Sequence, residues 1–158
     1  MFILVSAAFI AEAQNARPES VEENLVLSAV TRFNERDIDG AVTILKEVTS
    51  RYPDNDAAWY YLAQCAMGKM DLVTAEECYR KAAELDPDNF WYRYRLAGLY
   101  AVTSRTELTV DMYEKLLEDF PKKSELYFDL VDLYAAQGET AKALETLKEI
   151  ETVFGMTE

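Results

Sequence analysis

Histidine is absent from the 158-residue chain, and cysteine, proline and glycine are scarce at two, four and five. Without histidine the chain lacks the commonest general base near neutral pH, the usual activator of a serine or cysteine nucleophile, and the commonest zinc ligand. Cys65 and Cys78 are too few for a disulfide framework or a thiolate metal site. They read as two small buried apolar side chains, with a single bond between them as the alternative. Few glycines and prolines suit long helices joined by short turns. Positive charge is also short: 16 Lys and Arg stand against 29 Asp and Glu, for a net charge of -13. That excess repels phosphate backbones and anionic headgroups, so the expected partner is a neutral or basic protein or peptide, not nucleic acid or a membrane surface. Catalysis, a cofactor and a bound metal are not expected.

Half of the residues are hydrophobic and 28% are charged, the balance of a soluble globular domain. The N-terminus departs from it. Phe2 to Ala11 is an uncharged, mostly apolar run, too short to span a bilayer as a helix. It has the length of a signal-peptide core, and Ala11-Glu12-Ala13 offers a cleavage site before Gln14. No Lys or Arg precedes the run, so either the start lies upstream or the run is an apolar helix packed on the body of the domain. The first reading makes the chain an exported, periplasmic or extracellular protein, and the second leaves it cytoplasmic. No cysteine directly follows the run, which argues against a lipoprotein anchor.

The rest of the chain repeats. Pro53, Pro87 and Pro121 are spaced by 34 residues, as are Leu62, Leu96 and Leu130. Ala41 and Ala75, Asn55 and Asn89, Tyr79 and Tyr113, and Tyr100 and Tyr134 share the interval. Each unit holds two amphipathic runs at helical spacing. In the second, Trp59, Leu62, Ala63 and Ala66 form one stripe and Leu72, Ala75, Tyr79 and Ala82 another. Gly68-Lys69-Met70-Asp71 between them can end one helix and cap the next, as can Pro87 with Asp88 or Asn89. Ala63 and Ala75 let the paired helices approach closely. One hairpin cannot bury both stripes, whereas stacked hairpins can.

This period and phase resemble the tetratricopeptide repeat. Trp59, Leu62 and Ala63 match its opening W-x-x-L-G/A, Ala75 and Tyr79 its A-x-x-x-F/Y, Ala82 its second small position and Pro87 its closing proline. The resemblance covers four units, 22–55, 56–89, 90–123 and 124–157, after a segment and linker over 1–21. It implies an all-α fold, a right-handed superhelical solenoid of antiparallel helix pairs, and the N-terminal part of a longer exported bacterial protein of that family. The first unit is degenerate, with Leu25, Ser28 and Arg32 where Trp, Leu and Tyr are typical. The third has Ser104-Arg105 at the usual Gly-Asp turn and Thr109 at a small position. The fourth has Gly155 for proline. The last helix carries Leu144, Leu147, Ile150 and Val153 without a polar capping helix, so either the solenoid continues or this face meets a partner, a second copy included.

In that family, ligands lie in a concave groove lined by the first helix of each unit. The matching positions are Val26, Val30 and Phe33; Tyr60, Gln64 and Met67; Trp91, Tyr94, Gly98 and Ala101; and Glu125, Phe128, Asp132 and Ala135, with Asp129 beside them. The groove is then aromatic in its middle and acidic at its C-terminal end. The candidate partner-binding set is Phe33, Tyr60, Gln64, Met67, Trp91, Tyr94, Arg95, Phe128, Asp129 and Asp132. Contiguous aromatics suit a binding hot spot, and the competing reading is packing against the neighbouring unit. The family's carboxylate clamp for chaperone tails needs Lys and Asn. Here Val26, Val30, Tyr61 and Trp91 occupy four of its positions and only Arg95 suits the fifth, so a co-chaperone role is not implied. Glu125, Asp129 and Asp132 share one helical face. They read as a solvated surface or as a contact for a Lys/Arg-bearing ligand; a loop of convergent oxygens for a metal is missing. Besides groove recognition, the alternative is an assembly segment working through the ends and convex face of a longer solenoid.

Overall fold

The computed structural model describes residues 21–155, and the apolar run with its cleavage motif lies outside them. Among the described residues eight helices succeed one another: α1 (Val21–Asn34), α2 (Ile38–Arg51), α3 (Asp56–Gly68), α4 (Leu72–Leu85), α5 (Phe90–Val102), α6 (Thr106–Asp119), α7 (Ser124–Ala136) and α8 (Thr140–Phe154). Among the described residues there is no strand. The sequence period is a backbone period: the second helices begin at Ile38, Leu72, Thr106 and Thr140, each 34 residues after the last.

Local chemistry sets these boundaries. The Asp37 carboxylate accepts from the Gly40 amide at 3.0 Å. Asn55 caps Ala58 at 2.7 Å, Asp71 caps Thr74 at 3.2 Å, and Asn89 rather than Asp88 caps Trp91 at 3.1 Å. Each bond satisfies an amide that a helix start leaves unpaired. Helices α6, α7 and α8 start after Arg105, Lys123 and Glu139 without a side-chain cap. Within each hairpin one residue takes the left-handed conformation: Arg36 (φ 68), Met70 (φ 60), Ser104 (φ 59) and Gly138 (φ 77). The turn after α3 therefore rests on Met70. Gly68 is the last helical residue and not the breaker. Gly155, in place of the closing proline, is a left-handed C-cap whose amide donates to Glu151.

A second link recurs at the fourth position of three units. The Trp59 indole donates to the Pro53 carbonyl at 2.8 Å, Arg93 to Pro87 at 3.5 Å and the Tyr127 hydroxyl to Pro121 at 3.0 Å. Trp59 thus straps the turn before it as well as packing on the core.

Ala41, Ala58, Ala63, Ala75, Ala82 and Ala97 are fully buried, so backbones approach closely where the repeat has small residues. Thr109 is equally buried at such a position, because its hydroxyl donates to the Arg105 carbonyl at 3.1 Å. Cys65 and Cys78 are buried free thiols. One core cluster runs from Ala29 to Tyr100 and a second from Phe90 to Ala143, with Met112 packed against both. They meet on α5, which turns Leu96, Leu99 and Tyr100 to the first and Phe90 and Ala97 to the second. Polar links cross the unit junctions too: Lys69 pairs with Asp39, Tyr92 donates to Asp56, and Arg105 pairs with Glu76, while Asn55 donates to Glu22 within the first unit.

Candidate functional site

The first helices line a run of hollows with shared walls. The central one, about 290 Å³, lies among Gln64, Met67, Tyr79, Tyr94, Arg95, Gly98, Tyr113 and Asp129. Gln64 and Met67 also wall a hollow of about 680 Å³ with Phe33, Asn34, Arg36 and Ile38. Arg95 also borders a third, about 530 Å³, with Tyr60, Tyr61, Trp91 and Tyr92. Of the ten sequence candidates, Phe33, Tyr60, Gln64, Met67, Trp91, Tyr94, Arg95 and Asp129 are thus brought together along one face. Phe128 and Asp132 are exposed on α7 and line none of the three hollows.

Most of the aromatics are built in. Tyr60 is half-buried, with ring contacts to Tyr61, Tyr79 and Tyr92, and its hydroxyl accepts from Gln64 at 2.7 Å. Phe33 meets Tyr61 edge-on. Tyr94 stacks between Phe90 and Tyr113 and donates to Asp129 at 2.7 Å, across the junction between the third and fourth units. Trp91 differs: it is 44% exposed, and its ring is flanked by Phe90, Tyr94 and the Lys123 ammonium. Phe128 is 53% exposed. The competing reading, packing against neighbours, thus describes Tyr60 and Tyr94 better than an open platform does, while Trp91 and Phe128 offer free surface. Sequence phase placed Tyr60 and Tyr94 on the right helices. It could not register the rings that Tyr79, Tyr92 and Tyr113 bring from other helices.

The electrostatics are those of neutral phenols beside carboxylates. Burial, aided by the Asp129 hydrogen bond, pushes the Tyr94 hydroxyl up to about 12. Burial alone accounts for most of the rise of Tyr79 to about 12. Tyr92 and Tyr113 are raised as well, mainly by burial, with Asp56 and Asp129 reinforcing the effect. Phenols raised in this way stay protonated at neutral pH and act as donors. Among the described residues no three His, Cys, Asp or Glu side chains are placed to hold a metal ion, and no helix is long and apolar enough to cross a membrane. Asp129 of the acidic trio is engaged by Tyr94, whereas Glu125 and Asp132 face solvent.

The fold defines an all-α helical repeat solenoid. Family models of the tetratricopeptide repeat match residues 27–90 and 104–152, and the chain belongs to that family. A stretch of 76 residues, 48% of the chain, is 32% identical to Superkiller complex protein 3 of Homo sapiens and spans 5% of that protein's length. The crystal structure of MamA protein superposes with a TM-score of 0.76 at 18% identity, over 94% of this chain and 78% of that one. MamA from Desulfovibrio magneticus RS-1 gives 0.74 at 16% identity, over 87% and 77%. At these identities the likeness is one of fold. A solenoid of tetratricopeptide repeats is in general a scaffold for protein–protein interaction and is typically non-catalytic.

Proposed function

We propose that this chain is a non-catalytic scaffold that holds a peptide or protein segment along the face lined by α1, α3, α5 and α7. The observation that carries the reading is the run of joined hollows from Phe33 past Gln64 and Met67 to Trp91. Its walls are preorganised, because hydrogen bonds hold Tyr60 and Tyr94 in place before a ligand arrives. Preorganised aromatic surface lowers the entropic cost of binding. A second reading, assembly through the end of the solenoid, is favoured by α8. Leu144 and Leu147 are 54% and 41% exposed, Val153 and Phe154 are also exposed, and Ile150 turns inward.

The test is peptide selection from a random displayed library, with affinity measurement on the selected peptides. Trp91→Ala with Phe128→Ala should weaken selected peptides by tenfold or more, since hot-spot truncations cost about 2 kcal/mol or more. Far-UV circular dichroism should be unchanged. Leu144→Glu with Leu147→Glu should leave peptide affinity alone. Equal binding by the groove double variant, with loss in the α8 double variant, would transfer the function to the end of the solenoid.

A further inference from the structure

The two ends of the solenoid are finished differently. At three positions where α3, α5 and α7 are apolar, α1 is polar and exposed. Ser28 answers to Leu62, Leu96 and Leu130, Thr31 to Cys65, Leu99 and Leu133, and Arg32 to Ala66, Tyr100 and Tyr134. The departures that make the first unit degenerate thus give it a solvated front, where the Thr31 hydroxyl donates to the Leu27 carbonyl at 2.9 Å and Arg32 pairs with Asp37. The opposite end is apolar. Leu147 is 41% exposed, whereas Tyr79 and Tyr113, at the same register of α4 and α6, are 2% and 5% exposed. Leu144 is exposed where Val110 is buried and where Glu76 reaches Arg105 of the next unit at 2.6 Å. Phe128 is exposed where Tyr94 stacks on Tyr113 and donates to Asp129 of the next unit. The same register sets Phe128 beside Leu147, and with Leu144 they form one apolar patch on α7 and α8.

We propose that this patch is a two-fold dimer interface, at which the end of the solenoid packs against the same end of a second copy. The inference rests on the reading of assembly through the end of the solenoid and names the partner. A polar α1 does not replace the apolar first helix that each internal second helix receives. Head-to-tail stacking, which would run on into a filament, is therefore disfavoured. A patch at one end alone serves two copies equally when a two-fold axis relates them, and the assembly then closes at two. The charges fit the same arrangement. Lys148 and Glu151 stand one turn beyond Leu144 and Leu147, both exposed, and neither enters an ion pair among the described residues. A face that carries both signs meets its own copy without the like-charge cost of a face of one sign. Two bodies of net charge -13 repel elsewhere, and contact through the ends holds them far apart. Few large side chains per copy make a small contact, in the class of weak, reversible interfaces.

Analytical ultracentrifugation of the 158-residue chain over a dilution series tests the proposal. The chain should pass from monomer to dimer at about 10–100 μM, with nothing larger. Added salt should tighten the dimer, because screening weakens the repulsion between the acidic bodies and leaves apolar contact intact. Leu144→Glu with Leu147→Glu should leave a monomer at every concentration. Both side chains are exposed, so this variant should keep the parent circular dichroism. Ser28→Glu with Thr31→Glu on α1 should leave the dimer unchanged. A monomer throughout the series overturns the proposal, and so does a dimer that salt dissociates. Species larger than a dimer, or loss of association in the α1 variant, overturn it in favour of head-to-tail stacking, and assembly through the end of the solenoid survives. Self-association that the α8 variant does not alter removes both readings.

Discussion

Met70 carries a conformation that its side chain does not favour. A left-handed backbone costs an L-residue about 1–2 kcal/mol, and glycine avoids that cost while losing more freedom on folding. Position 138 of the same series holds glycine, and Met70 and Ser104 do not. Met70→Gly should therefore stabilise the fold by about 0.5–1 kcal/mol, measured as a shift in the urea midpoint; a loss of stability would mean that the Met70 side chain makes an unrecognised contact. The tyrosines set a second residue-level property. Tyr79 and Tyr94 are raised from 10.0 to about 12 by burial, so below pH 10 folded and unfolded chains are equally protonated there. Above pH 10 the unfolded chain releases protons that the folded one retains, so stability falls as pH rises through that window. Each such group contributes up to about 1.4 kcal/mol per pH unit. Urea midpoints from pH 8 to 11.5 should be flat up to about 10 and then drop steeply. Tyr94→Phe should soften the drop; an unchanged slope would disconnect the phenols from alkaline unfolding. At this scale the sequence was read well for alanines and prolines, whose roles stem from size and missing donors. It was read less well for Tyr60, Tyr94 and Trp59, whose partners come from other helices or from a carbonyl six residues back.

The helices of the two halves begin differently. Asp37, Asn55, Asp71 and Asn89 cap α2 to α5 with side-chain oxygens, whereas α6 to α8 start uncapped. Glu139 stands before α8 where Asp37 and Asp71 stand before α2 and α4, one methylene too long for the cap geometry. Glu139→Asp should supply the missing bond and stabilise by about 0.5–1 kcal/mol, visible as a higher melting temperature; no gain would show that the turn at Gly138 misplaces the carboxylate. The helix pairs themselves were legible because Pro, Asn and Asp recur in phase with the apolar stripes. The turn conformations were not, since three different residues, Arg36, Met70 and Ser104, adopt the form that Gly138 takes by default.

Across the whole molecule, burial peaks in the middle. Only Ala29 is buried on α1, while α3 and α5 bury Leu62, Cys65, Leu96 and Leu99, and α8 leaves Leu144 and Leu147 open. Amide exchange should be slowest in α3 to α5 and fastest in α1 and α8, because local opening is easiest where least apolar surface is buried. Equal protection throughout would imply that both ends are covered in solution. The order of units was legible from the 34-residue spacing alone. The placement of unpaired charge was not, because only packing shows which arginines find carboxylates. The strap at the fourth position of the second and third units and the asparagine cap before each of them also make the first two unit junctions alike. Excising residues 56–89 would bring Asn55 against Phe90, recreating the Asn-Phe step now found at Asn89 and Phe90, and would offer the Pro53 carbonyl to Arg93 in place of Trp59. The first two seams are therefore interchangeable, so the unit between them can be removed or repeated as a whole module without a new joint being invented.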